Sequence, residues 1–406
     1  MNYEQAEAYL LDLELFGMRF GLDRMHKLMT VLGMPQRRFA SVHVVGSNGK
    51  SSTVRMIAAV LERHGVRTGT YTSPHLRSFS ERIEVGERPI DEASFAAAVT
   101  RVAQAASMVN RTADVDDRVT QFEALTAAAY HELARRGVEV AVVEAGLGGR
   151  WDATNVIPSK VQVLTSVGLE HTRWLGPTIA DIAAEKLAVV RDLSTLVLGP
   201  VPEEAEEVVS EVVAARHATL VRAPVVPGSF QRQNFAVAEA ASRAFLGSLD
   251  SAAVARAAAE VRVPGRLEVV SSAGPLVLHD GAHNPAGAEA LAAALPEVVG
   301  DRRLVGVIGV LDDKDAAAML RALLPLCSAV VFTRSANPRS LPPATLAGLA
   351  EQVGGPGESE CVADPRAAVA RAAELAGPDG AVIATGSIYL IADLVREREG
   401  ARVSRL

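Results

Sequence analysis

Along almost the whole chain, short apolar, β-branched runs alternate with stretches of three- and four-residue apolar spacing. The runs at 41–45, 66–72, 139–145, 160–167 and 195–198 predict strands, as do 267–270, 276–279, 304–310, 329–333 and 381–385. Helical spacing fills most of the gaps, which is the β-α-β rhythm of open parallel sheets. The Val263-Pro264-Gly265-Arg266 turn ends an alanine-rich helical stretch and opens a second strand–helix alternation. The chain is therefore expected to be α/β, with two parallel-sheet domains over 1–265 and 266–406, the second smaller. The glycine-rich run 354–360 reads as a surface loop.

The first predicted strand runs into Gly46-Ser47-Asn48-Gly49-Lys50-Ser51-Ser52, followed by a helical pattern with Val54, Ile57, Ala58 and Leu61 on one face and Gly65 at its stop. Strand, glycine-rich turn, lysine and hydroxyls, then helix is an arrangement that cradles phosphates. Backbone N–H groups receive oxygens, Lys50 reaches the terminal phosphates, and Ser51 or Ser52 can touch an accompanying magnesium ion. The strict phosphate-loop motif has glycine where this chain has Val44, so a turn of this kind without nucleotide is the alternative.

Glu144 ends the most apolar predicted strand and is followed by Gly146, Gly148 and Gly149, while Glu170 and His171 follow the next strand. Ligands of open α/β sheets sit at such strand tips. A glutamate and an imidazole there can complete a magnesium site with phosphate oxygens, although histidine is an unusual ligand for a hard cation. The spacing over 178–190 predicts a helix with Ile179, Ile182, Ala183 and Val190 on one face, and Lys186 falls in the middle of it. A buried lysine loses basicity and becomes nucleophilic enough to add carbon dioxide, giving a carbamate; a lysine that snorkels to water is the alternative.

Composition narrows the classes. The chain of 406 residues is 49% hydrophobic and 22% charged with a net charge of −7. That is a globular composition with no basic field for nucleic acid. No apolar run is long enough to span a bilayer, and the acidic N-terminus lacks the pattern of a signal peptide. Two cysteines, Cys327 and Cys361, with no metal or redox spacing fit a reducing, cytoplasmic setting. Against 36 arginines there are 5 lysines (Lys27, Lys50, Lys160, Lys186 and Lys314), which makes each a candidate for a place where arginine chemistry would fail.

Together these pieces resemble the folylpolyglutamate synthase/dihydrofolate synthase family of the Mur ligase superfamily. The resemblance rests on GSNGKSS at 46–52, TSPHL at 72–76, EAGLGGRWDATN at 144–155 and EHTRWLGPTIADIAAEK at 170–186. It continues through QRQN at 231–234, PGR at 264–266, HDGAHNP at 279–285, DDKD at 312–315 and TGSIYL at 385–390, in the family's order. Ser51 stands where the family usually has glycine and Glu170 where aspartate is usual.

The resemblance implies a parallel-sheet ATPase domain of the phosphate-loop type over 1–265, a smaller Rossmann-like α/β domain over 266–406, ATP and Mg²⁺, and an active site between the two domains. Lys50 and the loop would bind the phosphates; Ser73, Glu144 and His171 would ligate magnesium; Lys186 would be the carbamylated lysine. Asn234, Arg266 and Asp280 would contact the nucleotide. Phe122, Glu123, Trp151, Asp152 and Ala153 would line the pterin site, with His283 near the incoming glutamate. Phe20-Gly21-Leu22-Asp23 resembles part of a dihydropteroate pocket. The implied reaction is ATP-dependent addition of L-glutamate to a folate or dihydropteroate carboxylate through an acyl phosphate, by a cytoplasmic monomer acting on small molecules. The rivals are a Mur-type ligase acting on another carboxylate and a nucleotide-dependent regulatory protein, which would need the loop but not Lys186.

Overall fold

The computed structural model describes residues 1–13, 21–112, 114 and 117–396, so Phe20 of the early pocket motif lies outside the described residues. These residues form two compact units. Of the described residues, those within 1–226 and 231–262 form one unit, and 227–230 with 263–396 form the other.

The strands of the first unit are β1 Ala40–Val45, β2 Thr68–Tyr71, β3 Ile83–Val85, β4 Arg88–Pro89, β5 Val140–Glu144, β6 Val161–Leu164, β7 Thr195–Leu198 and β8 Thr219–Arg222. They lie in the order β4-β3-β2-β5-β1-β6-β7-β8. Every pair from β2 to β8 is parallel, and β3 and β4 are antiparallel additions at one edge. β1 and β5 are central and covered on both faces, which is why they read as continuous apolar runs. Helices Glu92–Asn110 and Gln121–Arg135 bury Phe95, Val99, Val102, Leu125 and Tyr130 in a core that also takes Tyr71, Ala141 and Val143. A second cluster joins Ile182 and Leu187 to Leu164, Leu196 and Leu198.

In the second unit β9 Glu268–Ser271, β10 Leu276–His279, β11 Leu304–Ile308, β12 Ala329–Phe332, β13 Ser359–Cys361 and β14 Ala381–Thr385 form a sheet of order β13-β12-β11-β14-β10-β9. It is parallel except for β9, which pairs antiparallel with β10.

The structure adds strands that the polarity pattern does not show. β3 and β4 are joined by Gly86 and Glu87, both with φ near +60°, the two-residue turn suited to a tight hairpin. β8 and β13 are edge strands with partly or fully exposed side chains, so neither carries an apolar signature. The expected loop at 354–360 is corrected accordingly, because Ser359 and Glu360 belong to β13 and pair with Val330 and Val331.

The helix expected over 178–190 is shorter, Ile179–Leu187, but its start is well defined. Thr178 Oγ1 accepts the Asp181 N–H, and the Asp181 carboxylate accepts the Thr178 N–H in return, at 3.1 and 3.2 Å. Thr178→Ala should therefore cost about 1 kcal/mol of stability and Thr178→Gly only a few tenths. Denaturant melts of the two variants check this; equal losses would show that the cap does not set the helix start.

Candidate active site

The phosphate loop is shaped by contacts that only glycine permits. Gly46 has φ +151°, and a Cβ there would lie 1.9 Å from Thr165 Oγ1. Gly49, at φ +83°, precedes helix Lys50–Arg63, and its Cβ would meet Asn234 Oδ1 at 2.4 Å. Val44, where the strict motif has glycine, is a buried β1 residue opposite Glu144, so the turn begins two residues later, at Gly46.

The stretch after β6, predicted as strand to 167, leaves the sheet to hold this loop. Thr165 Oγ1 and Ser166 Oγ donate to the Asn48 carbonyl at 2.6 and 3.1 Å, and the Ser47 N–H donates to the Ser166 carbonyl at 2.9 Å. Ser47 Oγ exchanges hydrogen bonds with the N–H and carbonyl of Gly168. Ser52 is buried in the first turn of the helix.

Two ammonium groups meet on one carbonyl. Lys50 Nζ donates to Gly46 O at 2.9 Å and to Ser47 O at 3.2 Å, while Lys186 Nζ, 140 residues away, donates to the same Gly46 O at 3.0 Å. Lys186 is 1% exposed, so it does not snorkel. Its one carboxylate neighbour in hydrogen-bonding reach among the described contacts is Glu170 Oε1, at 3.1 Å. Burial outweighs that attraction, and Lys50 adds repulsion, so the Lys186 amine is pushed down to about 8. At pH 7 roughly one amine in ten is then neutral, against about one in a few thousand for an ordinary lysine.

Beside these lysines, Glu144 is 2% exposed at the tip of β5. Its Oε1 accepts Ser51 Oγ–H at 2.9 Å and its Oε2 accepts the Ser73 N–H at 3.1 Å. Ser51 and Glu144 thus supply hydroxyl and carboxylate oxygens next to the phosphate loop, and the Ser73 backbone is held beside them. That is a donor set suited to a hard divalent cation completed by phosphate oxygens and water. The described residues contain no group of three or more His, Cys, Asp or Glu side chains able to hold a metal by themselves. His171 is exposed, in a left-handed conformation (φ +49°) at the start of helix Thr172–Leu175, next in sequence to the Glu170 that pairs with Lys186.

A second group of expected residues gathers on the glycines after Glu144. The Phe122 ring covers Gly146, where a Cβ would lie 2.5 Å from Cζ. Asp152, buried beside it, accepts the Leu147 N–H at 2.9 Å and the Thr154 N–H at 3.0 Å, and Thr154 Oγ1 donates to the same carboxylate. Burial raises the Asp152 carboxyl above its ordinary value despite these donors. Ala153 is buried and Trp151 is partly exposed. Glu123 is held differently: both its oxygens accept from Arg24 Nε, at 3.1 and 3.3 Å, and Oε2 also accepts the Thr120 N–H at 2.9 Å. Burial alone would lower the Arg24 guanidinium, but Glu123 and Asp117 outweigh it and hold it above its ordinary value.

Sequence reasoning passed over Arg24, Thr154 and His43. His43, fully buried on β1, has its Nε2 2.8 Å from Thr154 Oγ1, and burial with the nearby Arg191 charge pushes its imidazole down to about 3. A lone histidine in an apolar strand was a signal that could have found it. Arg24, 99 residues from Glu123, gives no local one.

Within the second unit, the Pro264-Gly265-Arg266 turn folds onto the end of β10. The Gly281 N–H donates to Gly265 O at 2.8 Å, and a Cβ on Gly281 would meet Arg266 Nη1 at 3.1 Å. Asp280, 2% exposed, accepts the Leu267 and Ala282 N–H groups at 2.7 Å each, and burial raises its carboxyl above the usual range. His283 Nδ1 lies 3.0 Å from Gly281 O. Arg266, Asp280 and His283 thus share one corner of that unit.

Comparison with known proteins adds three findings. Residues 265–388 match the family model described as Mur ligase, glutamate ligase domain. The dihydrofolate synthase/folylpolyglutamate synthase of Mycobacterium tuberculosis is 36% identical, over 90% of this chain and 88% of its own length. The folylpolyglutamate synthase of Lacticaseibacillus casei is 33% identical over 98% of both chains.

Among solved structures, M. tuberculosis folylpolyglutamate synthase complexed with ADP and AMPPCP superposes with a TM-score of 0.89 at 34% identity, covering 97% of each chain. A bifunctional folylpolyglutamate synthase/dihydrofolate synthase with Mn, AMPPNP and L-glutamate bound gives 0.85 at 28% identity, again over 97% of each. With a phosphate loop braced by two lysines and likeness of this extent along its length, the chain belongs to the folylpolyglutamate synthase/dihydrofolate synthase family of ATP-dependent Mur-type glutamate ligases.

Proposed function

We propose that this protein joins L-glutamate to the carboxylate of a folate or of dihydropteroate, using ATP and a divalent cation. The observation that carries the reading is the meeting of Lys50 and Lys186 on the Gly46 carbonyl, with Ser51, Glu144 and Ser73 alongside. A switch protein needs the loop, but it has no use for a desolvated lysine drawn onto it. The relatives found in complex with ADP, AMPPCP, AMPPNP, Mn and L-glutamate support the same substrates here.

A carboxylate and an amine do not condense in neutral water. The carboxylate oxygen first takes the γ-phosphoryl group, giving ADP and an acyl phosphate. The glutamate amine then attacks the acyl carbon, phosphate leaves with the bonding pair, and the amine gives up its proton. Such transfers depend on positioning and charge neutralisation. In this reading Lys50 and the N–H groups of 46–52 hold the phosphates, and Glu144, Ser51, Ser73 and His171 hold the cation. The cation, when bound, screens phosphate charge as it shifts toward the leaving oxygen. Phe122 and Trp151 to Ala153 form one wall of the pterin site. Glu123 supports that wall by way of Arg24 and the Thr120 cap. Asn234, Arg266 and Asp280 are assigned to the nucleotide and His283 to glutamate.

Lys186 is assigned as a carbamate. Carbon dioxide adds to the neutral amine, forming an N–C bond and releasing a proton, and the new carboxylate would serve the cation. Its depressed basicity sets the sign of the pH dependence. Uptake of carbon dioxide rises as pH approaches about 8, because more of the amine is neutral.

Three results are expected. Phosphate release by the purified protein depends on both a folate or dihydropteroate carboxylate and L-glutamate; basal hydrolysis indifferent to both points to the regulatory reading. Lys50→Ala and Glu144→Ala lose turnover by at least about a thousandfold while keeping the wild-type circular dichroism spectrum. Lys186→Ala is inactive and partly restored by added short carboxylates, and ¹³C NMR of wild type under ¹³CO₂ shows a carbamate carbon that this variant lacks. Normal turnover in Lys186→Ala without any additive would make the lysine merely structural.

A further inference from the structure

Lys160 takes no part in the chemistry above. It sits just before β6, where its N–H donates to Ser41 O and its carbonyl accepts the Thr195 N–H, both at 3.1 Å. Since β1, β6 and β7 are parallel, this is the starting end of the strands. Gly46 lies five residues beyond Ser41, at the finishing end, so about 16 Å of strand separates Lys160 from the phosphate loop.

Lys160 borders a cavity of about 360 Å³ whose walls include Arg191, Leu193, Ser194, Ala244 and Phe245. The volume is in the range of small-molecule sites.

Among the described residues neither cation on these walls, Lys160 or Arg191, forms an ion pair, and the Lys160 ammonium has no hydrogen bond. Arg191 spends Nη2 on neutral acceptors, the carbonyl and side-chain oxygens of Asn155 and the carbonyl of Ile157, and its buried Nε has no acceptor. The acid in the lining, Asp192, makes its ion pair with Arg216, at 3.0 Å. Burial, followed by the Arg216 charge, lowers the Arg191 guanidinium, and Tyr130 and Asp192 offset only part of this.

A separate observation concerns Leu193. It is 82% exposed and held at φ +57°, a left-handed conformation that bulky side chains avoid, by its N–H bond to Arg216 O. Strain of this kind concentrates at ligand clamps and switch regions. Here it keeps an apolar side chain at the mouth of the cavity, with Phe245 and Ala244 also in its lining.

The geometry points to a second ligand site: a pocket at the starting end of β6 and β7 that takes a small organic anion, its oxyanion head between Lys160 and Arg191 and its apolar body against Leu193 and Phe245. Carboxylates and monophosphates share that chemistry. A ligand there would touch Arg191, which holds the turn that follows Trp151 to Ala153.

Titration calorimetry of the full-length protein tests this with phenyl phosphate, benzoate and inorganic phosphate as probes. Saturable one-to-one binding of phenyl phosphate or benzoate is expected, with inorganic phosphate at least about tenfold weaker; which organic probe binds tighter tells phosphate from carboxylate. Lys160→Glu should lose at least about tenfold in affinity, and Lys160→Gln somewhat less, while Lys50→Ala binds like wild type because the phosphate loop is not the site. Lys160 is exposed, so both of its variants should keep the wild-type melting curve. Wild-type affinity in both Lys160 variants, loss of binding in Lys50→Ala, no saturable binding of either organic probe, or inorganic phosphate binding as tightly as they do would each overturn the proposal.

Discussion

The first unit is organised around a single backbone carbonyl, that of Gly46, which receives two lysine ammonium groups at about 3 Å each. Two like charges meeting there repel each other, and burial disfavours the Lys186 ammonium. The arrangement persists because the loop has no freedom to relax away from it. Thr165 and Ser166 bind its backbone, Gly168 binds the Ser47 hydroxyl, and a side chain at Gly46 or Gly49 would be strained and would crowd Thr165 or Asn234. The result is a rigid turn that carries excess positive charge, as a site for a polyanion requires.

That constraint spreads through the sheet order. Placing β1 between β5 and β6 brings three strand tips side by side: the phosphate loop, the Glu144 carboxylate and the Thr165–Gly168 segment. Glu144 then ties Ser51, at the start of the loop helix, to Ser73 after β2. From the same tip the glycine-rich run passes under Phe122 and is anchored by Asp152, Thr154 and His43, so β1 supports both the phosphate loop and the neighbouring wall. Hydrogen bonds among buried groups make this scaffold stiff, because any member left unpaired in that environment is costly.

Desolvation decides the chemistry of individual groups. Lys186 and Glu170 form an ion pair, yet the lysine ends less basic than in water, since removing its ammonium from solvent costs more than one partner returns. Arg24 shows the opposite balance. Two carboxylates, one of them partly exposed, outweigh its burial and hold it firmly charged. The same law acts on both cations; the deeper burial of Lys186 and the repulsion from Lys50 settle the sign.

The sequence by itself determined the α/β alternation, the central strands, the turn at Val263–Arg266, the phosphate loop and the candidacy of Glu144 and Lys186. Each is written in residues close together: an apolar run, a glycine pair before a lysine, one lysine on an apolar face. Edge strands β8 and β13 escaped it because exposed side chains leave no polarity signal, and β3 and β4 because their few residues are set by a tight turn. Only the tertiary structure decided that Lys186 reaches Gly46, that Glu123 spends its carboxylate on Arg24, and that His43 braces Thr154. These partners lie about a hundred residues apart or more, and hydrogen bonds act over a few ångströms of space whatever the separation along the chain.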